Sequence, residues 1–348
     1  MIDDAAGGEV TDARSLVPKP LKNITIERGT AVEKQSRTNL VEGVAGLTGG
    51  FTTTLVSHPL DFLKLRMQLD KTSSTQWKAI KNILHNLVLT STSTDGKIDG
   101  INLINNVYRG VGPNLVGSTT AWALYFVFYR EYKDLILKYT NSSFNDSNLN
   151  SAEYLLSAFG AGWTTSIITN PIWVIKTRMI ATSKHTPGAY SSIVDGIRQI
   201  YHHEGFMGYY KGLSPALLNV SQGALQFSIY DTFKHHIILK KGNPEQRLTT
   251  FEYLYSSAIS KITATMTLYP LQVIRSRLQV NNEIKTISAR KLVYEIAKEE
   301  GVKGFYKGLL ANIIRVVPAT CITSVSYTHL RANETAANIV CRLLLEKK

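Results

Sequence analysis

One phrase is written three times in this chain, and it constrains the fold more than any other feature. Residues 59–66 read PLDFLKLR, residues 171–178 read PIWVIKTR, and residues 270–277 read PLQVIRSR. Each copy sets a proline five residues ahead of one basic residue and seven ahead of another. A second phrase follows every copy: Tyr108-Arg109-Gly110, Tyr210-Lys211-Gly212 and Tyr306-Lys307-Gly308. The order never changes, so the chain is a tandem threefold repeat of units near a hundred residues. At 348 residues the length alone would allow two or three independent domains. Three copies of one unit predict instead a single body closing around a shared centre.

Two long apolar segments are expected per unit. The first unit opens on Asn39–Leu69, which is rich in small residues and holds Gly46 and Gly50 at a spacing that lets a second helix approach closely. Its 31 residues span about 46 Å if helical, enough to cross a hydrocarbon core of ~30 Å with a kink at Pro59. Tyr154–Met179 and Tyr253–Gln279 repeat the pattern around Pro171 and Pro270. Pro113–Tyr132, Pro215–Phe233 and a segment beginning at Ala311 close the three units. None of the six is a pure apolar run. Helices that face lipid on one side and a wet cavity on the other have this composition. Between the long helices lie amphipathic stretches: Ile193, Ile197, Ile200 and Tyr201 recur at helical spacing, as do Leu292, Val293, Ile296 and Ala297. The first unit carries an extra polar loop there, Thr90–Asp99.

The formal charge is +13, yet charged residues are only 19% of the chain, below the roughly 25% of soluble domains. The bases recur at fixed points inside apolar segments rather than on one face or tail. That favours an anionic small substrate or an anionic membrane over nucleic acid. Residues 1–37 mix six acids with six bases. This is neither a transit peptide nor a secretory signal, and a disordered extension with no cleavable presequence is expected. Two cysteines, Cys321 and Cys341, give no disulfide framework. His202-His203 and His235-His236 are adjacent pairs, which do not share a helix face, so no metal site is expected. No nucleophile–base order, Walker loop or GxGxxG appears, and the chain does not read as an enzyme. Arg315, a lone arginine within the sixth apolar segment, is a functional candidate on cost alone.

These phrases resemble the mitochondrial carrier family over about Leu40 to Tyr327. The family's odd-helix motif is proline-x-acid-x-x-base-x-base. The resemblance implies an all-α membrane protein of six tilted transmembrane helices in three pseudosymmetric repeats, with short matrix-side amphipathic helices. The repeats would be 38–140 (with the insertion 90–99), 151–241 and 250–327. The tail 328–348 departs from the carrier pattern. Trp173 in PIWVIKTR, the phrase YPLQVIRSRLQ and SQGALQF are similar to the branch that moves FAD, folate, NAD and pyrimidine nucleotides, its FAD/folate members above all. The implied function is transport of FAD by alternating access through one central site, with FAD as substrate rather than cofactor. A folate or NAD carrier is the alternative. An uncoupling-type ion leak and a basic peripheral membrane or nucleic-acid-binding protein are more distant ones.

The resemblance also assigns roles. In the matrix gate, Asp61 would pair with Lys176, Trp173 would face Arg275, and Gln272 would face Lys64. Arg66, Arg178 and Arg277 would lie nearer the matrix, with Gln68 and Gln279 as braces and Ile180 in the third brace slot. Arg315 would hold a phosphate or carboxylate, Asn219 and Val220 would meet a base or ring, and Gly117 would leave room for a bulky group. Tyr125 and Gln226 lie two turns further on. A second, cytoplasmic gate would use Lys133, Asp231, Lys234 and Arg331, although Arg130 and Thr328 stand where acids are expected. The implied setting is a multi-pass protein of the mitochondrial inner membrane. It would be monomeric, with both termini toward the intermembrane space, in contact with anionic lipid such as cardiolipin, and without nucleic acid.

Overall fold

The computed structural model describes residues 51–73, 75–92, 99–139, 151–183, 188–241, 249–281 and 288–315. Expectations for the leading segment, Gly46 and Gly50, most of the insertion, Arg331 and the tail lie outside the described residues. Every regular element among the described residues is a helix. Repeat 1 holds α1 (51–69), α2 (Gln76–Thr90), α3 (Gly100–Val107) and α4 (Val111–Tyr139). Repeat 2 holds α5 (Ser151–Ala181), α6 (Ile193–Glu204), a 3-10 turn at Phe206–Tyr210, α7 (Leu213–Asn219) and α8 (Ser221–Lys241). Repeat 3 holds α9 (Thr250–Val280), α10 (Ala289–Glu299), a 3-10 turn at Val302–Tyr306 and α11 (309–315).

The long helices run through Pro59, Pro171 and Pro270 without a break. A proline inside a helix removes one N–H and crowds the carbonyl four residues back, so a bend is expected at each. α4 and α5 run antiparallel: Gly117 sits on Ile172 and Gly160 on the Tyr132 ring, while the Tyr132 hydroxyl meets Thr164 at 2.9 Å. α8 and α9 do the same through Lys241–Glu252 and Gln222–Thr265. Among the described residues no helix is long and apolar enough to cross a membrane. Serine, threonine and asparagine interrupt every long apolar run.

The expected second helix of repeat 2 is in fact two. Val220 lies in a turn between α7 and α8, and its N–H bonds Leu217 O rather than continuing the ladder. The turn packs closely on α5, where a Cβ added to Gly162 would lie 2.6 Å from the Val220 side chain. The short helices pack by fewer positions than periodicity suggests. Ile200, Leu292 and Ile296 are buried, whereas Ile197, Tyr201, Val293 and Ala297 face outward. The insertion is more ordered at its end than a loop. Asp99 caps α3 by accepting from Ile101 N, and Ser91 O accepts from Asp99 N.

Three glycines close the ring of repeats. Gly110, Gly212 and Gly308 have φ of 81°, 75° and 83°. Each lies against the first basic residue of the next repeat. A Cβ there would stand 3.5 Å from Lys176 O, 3.0 Å from Arg275 O and 2.8 Å from Lys64 O. Only glycine satisfies both the left-handed backbone and the close approach. Gly308→Ala should therefore destabilise the protein by more than the roughly 1–2 kcal/mol of left-handed strain. Gly188→Ala, at φ 78° with open space around it, should suffer strain alone. Equal falls in Tm for the two would contradict the close approach.

Candidate functional site

The odd helices α1, α5 and α9 enclose a cavity of about 460 Å3. Asp61, Trp173 and Gln272, from the acid slots, and Lys64, Lys176 and Arg275, the first bases, all line it. Gln68 and Gln279 join them, and Asn219 and Arg315 reach in from the even segments. Four cations share this space with one acid, so the cavity favours an anion. Three buried atoms on its wall, Asn219 Oδ1, Gln279 Nε2 and Arg315 Nε, have no hydrogen-bond partner. Buried polar groups are normally satisfied, so these atoms leave hydrogen-bonding capacity open to a ligand or to water.

The pairing differs from the ring order in two places out of three. Lys64 donates to Gln272 Oε1 at 3.0 Å, the neighbour that order assigns it. Asp61, expected to pair with Lys176, makes its direct ion pair with Arg315 at 3.1 Å, while Lys176 acts on the same carboxylate from further off. Lys176 stands 5.0 Å over the ring of Trp173, three residues back on its own helix, rather than leaving that ring to Arg275. The Trp173 indole is tethered by donating to Thr169 Oγ1, which turns its face to Lys176. The two glutamines do join odd helices. Gln68 donates to the Tyr269 hydroxyl at 3.1 Å, and Thr177 donates to Gln279 at 2.8 Å.

The second bases make a separate layer. Arg178 grips Glu204 with two hydrogen bonds, at 2.6 and 2.8 Å, and its Nε donates to Gln279 O of repeat 3. Arg277 holds Glu300 in the same way, and its Nε donates to Gln68 O of repeat 1. Lys211 and Lys307 bind the same two glutamates at 2.7 Å and also reach Asn281 O and Asp70 O. Burial pushes both carboxyls up, but their bonds to the arginine and lysine outweigh it and hold them below the ordinary glutamate range. Arg66 makes no such joint. Its Nε is buried without a partner.

Four other expected contacts lie elsewhere. Gly117 faces α5, where a Cβ would stand 3.1 Å from Ile172 and 3.6 Å from Trp173; its missing side chain lets the Ile172 side chain approach. Val220 and Tyr125 line a second cavity, of about 800 Å3, between α4, α5 and α8. Tyr129, Tyr154, Phe159 and Phe227 make this cavity aromatic, and Tyr125 stacks on Tyr129 at 6.0 Å. Gln226 is half-buried on α8 and lines neither cavity; Gln222, one turn earlier, is the residue that reaches Gln272. Trp122 is exposed and stacks on Phe126. Asp231 sits at the edge of the aromatic cavity, Lys234 is exposed and Lys133 is half-buried. Asp231 and Lys234 form no ion pair among the described residues.

Sequence reasoning missed the residue that precedes each motif proline. His58, Asn170 and Tyr269 are all fully buried. Each bonds a carbonyl of its own repeat's aromatic-base-glycine turn: His58 to Arg109 O, Asn170 to Tyr209 O and Lys211 O, and Tyr269 to Lys307 O. Three different side chains do one job, so only the register could have revealed them.

The family model described as "Mitochondrial carrier protein" matches residues 35–140, 147–241 and 246–334. The chain is 39% identical over 302 residues to "Mitochondrial FAD carrier protein FLX1" of Saccharomyces cerevisiae, covering 83% of this chain and 96% of that protein. It is 34% identical over 297 residues to "Folate transporter 1, chloroplastic" of Arabidopsis thaliana, covering 82% and 92%. It is 30% identical over 294 residues to "Nicotinamide adenine dinucleotide transporter 2, mitochondrial" of the same plant, covering 81% and 76%.

Proposed function

The chain belongs to the mitochondrial carrier family, and from that premise we propose that it carries FAD across the mitochondrial inner membrane by alternating access. Members of the family are transporters, not enzymes. The observation that supports FAD is the pairing of two unlike cavities. The charged one suits a pyrophosphate, and the aromatic one suits a flavin or adenine ring. Asn219 lines the first and Val220 the second, so consecutive residues at the α7–α8 break join the two. Folate and NAD also combine anionic and aromatic parts, and the relatives that carry those names keep them as the second reading.

In this reading the described conformation is closed at the motif end, the matrix side. The Lys64–Gln272 bond and the Gln68 and Gln279 contacts tie the odd helices there. Asp61 holds Arg315 until the substrate's phosphate competes for the guanidinium. The released Asp61 then faces Lys176, and the set of contacts that favours closure changes. A ligand shifts such an equilibrium only through this kind of differential contact. Six membrane-crossing helices, both termini toward the intermembrane space, the insertion in the matrix, anionic lipid at the margin and a monomeric unit complete the reading.

The test is uptake of labelled FAD into proteoliposomes of the purified chain. Saturable uptake above that of protein-free vesicles is expected, and its absence would refute the function. The competition at Arg315 has its own signature. Asp61→Asn should lower KM for FAD, because a competitor for the arginine is gone, and should slow turnover. In a double-mutant cycle on KM, Asp61 should couple to Arg315 more strongly than to Lys176. The reverse order would restore the ring pairing.

A further inference from the structure

Repeat symmetry leaves one repeat without its acid. Counting from the residue that starts each short helix, Thr75, Ser192 and Ser288, the twelfth position is Leu87, Glu204 and Glu300. The register is sound, because the eighth position is Ile83, Ile200 and Ile296, and all three pack inward. Glu204 sits between Arg178 and Lys211, and Glu300 sits between Arg277 and Lys307. The corresponding bases of repeat 1 are Arg66 and Arg109. They line one cavity of about 80 Å3, and Leu87 lines it with them.

The two guanidiniums meet no carboxylate among the described residues. Arg109 donates to Tyr190 O and Thr182, but its Nε and Nη1 are buried without partners, as is Arg66 Nε. Asp70 shares a neighbouring cavity with Arg66, yet its Oδ1 accepts from Thr72 and Ser73 and it forms no ion pair with the arginine. Asn86, Thr90 and Asn106 add neutral hydrogen-bonding groups to the wall. Two half-buried, like-charged groups whose orphaned donor atoms are themselves buried are costly unless an anion joins them. The cavity is far smaller than the roughly 300–1,000 Å3 of ordinary ligand pockets, so it has room for a single group and not for a nucleotide.

We propose that the Arg66–Arg109 cavity is a phosphate-binding site, in which a phosphate group takes the place that Glu204 and Glu300 fill in the other two repeats. Two forked guanidiniums match its oxygens better than a lysine pair would. The phosphate is either free or the headgroup of a lipid. The site is separate from the central cavity: its lining shares no residue with that of Arg315.

The test is thermal unfolding of the full chain in detergent, titrated with inorganic phosphate against chloride at constant ionic strength. Wild type should show a saturable rise in Tm. Leu87→Glu, which puts a carboxylate into the cavity, should raise Tm without phosphate and abolish the response. Leu87→Gln, of similar shape but neutral, should keep it. Arg109→Gln should weaken the apparent phosphate affinity by about tenfold or more. A parallel titration uses micelles doped with phosphatidylglycerol. A Leu87→Glu-sensitive rise with that lipid, and none with inorganic phosphate, assigns the headgroup as the source; the opposite pattern assigns the free ion. If Leu87→Glu leaves every response unchanged, or if neither source raises Tm, the site does not exist.

Discussion

Replacing Glu204 with glutamine should lower the Tm of the protein by on the order of 10 °C. The side chains of Arg178 and Glu204 are only 3% and 4% exposed, and Lys211 is 4% exposed. Removing one partner of such a cluster leaves buried charge uncompensated, at a cost of about 3–5 kcal/mol. The loss reaches beyond repeat 2, because Arg178 and Lys211 also bond Gln279 O and Asn281 O of repeat 3. Glu300→Gln should do the same to the joint between repeats 3 and 1. The sign of the pH dependence follows. Both carboxyls are held below the ordinary glutamate value of 4.5 when folded. Their stabilisation is present above that value and is lost as pH falls through the lower, folded one. Unfolding temperatures between pH 7 and pH 3 should therefore fall in wild type and flatten in the double Glu204→Gln, Glu300→Gln variant. A variant that tracks wild type below pH 4.5 would remove these residues from the joint.

Arg315→Ala should cut the initial rate of FAD uptake by about tenfold to a hundredfold, the value of one hydrogen-bonded charge at a phosphate. Two losses combine. The substrate's phosphate loses its fork, and Asp61 loses the partner it has in the substrate-free state. Arg315→Lys keeps the charge but not the fork and should be nearly as damaging. With four cations against one acid in the cavity, uptake by the intact protein should also slow as ionic strength rises. Near-normal uptake by Arg315→Ala at equal reconstituted protein would take this residue out of the substrate site.

The parts written three times were legible. The motif prolines, the first bases and the closing glycines each recur in register, and the structure gathers the bases around one cavity. What one copy alone carries was less legible. The exchange of Lys176 for Arg315 as the partner of Asp61 depends on how α11 approaches α1, which no spacing within a repeat encodes. Gly117 looked like space for a substrate because its own helix leaves it bare; the Ile172 side chain that lies against it arrives from another helix. His58, Asn170 and Tyr269 escaped because their types differ although their position does not. Glu204 and Glu300 were hidden for a related reason. They lie far from the proline motif, and Leu87 breaks the pattern that would have exposed them. Val220 was read as part of a continuous helix, since nothing in its own sequence announces the bond from its N–H to Leu217 O that ends α7.

FAD transport is the central claim, and competition tests it most directly. Labelled FAD is presented to proteoliposomes of the purified chain, with unlabelled FAD, folate or NAD in equal excess outside. A site built from one charged and one aromatic cavity, matched to FAD, predicts that unlabelled FAD abolishes uptake of the label while folate and NAD reduce it far less. Saturable entry of labelled folate or NAD that excess FAD leaves untouched would contradict it.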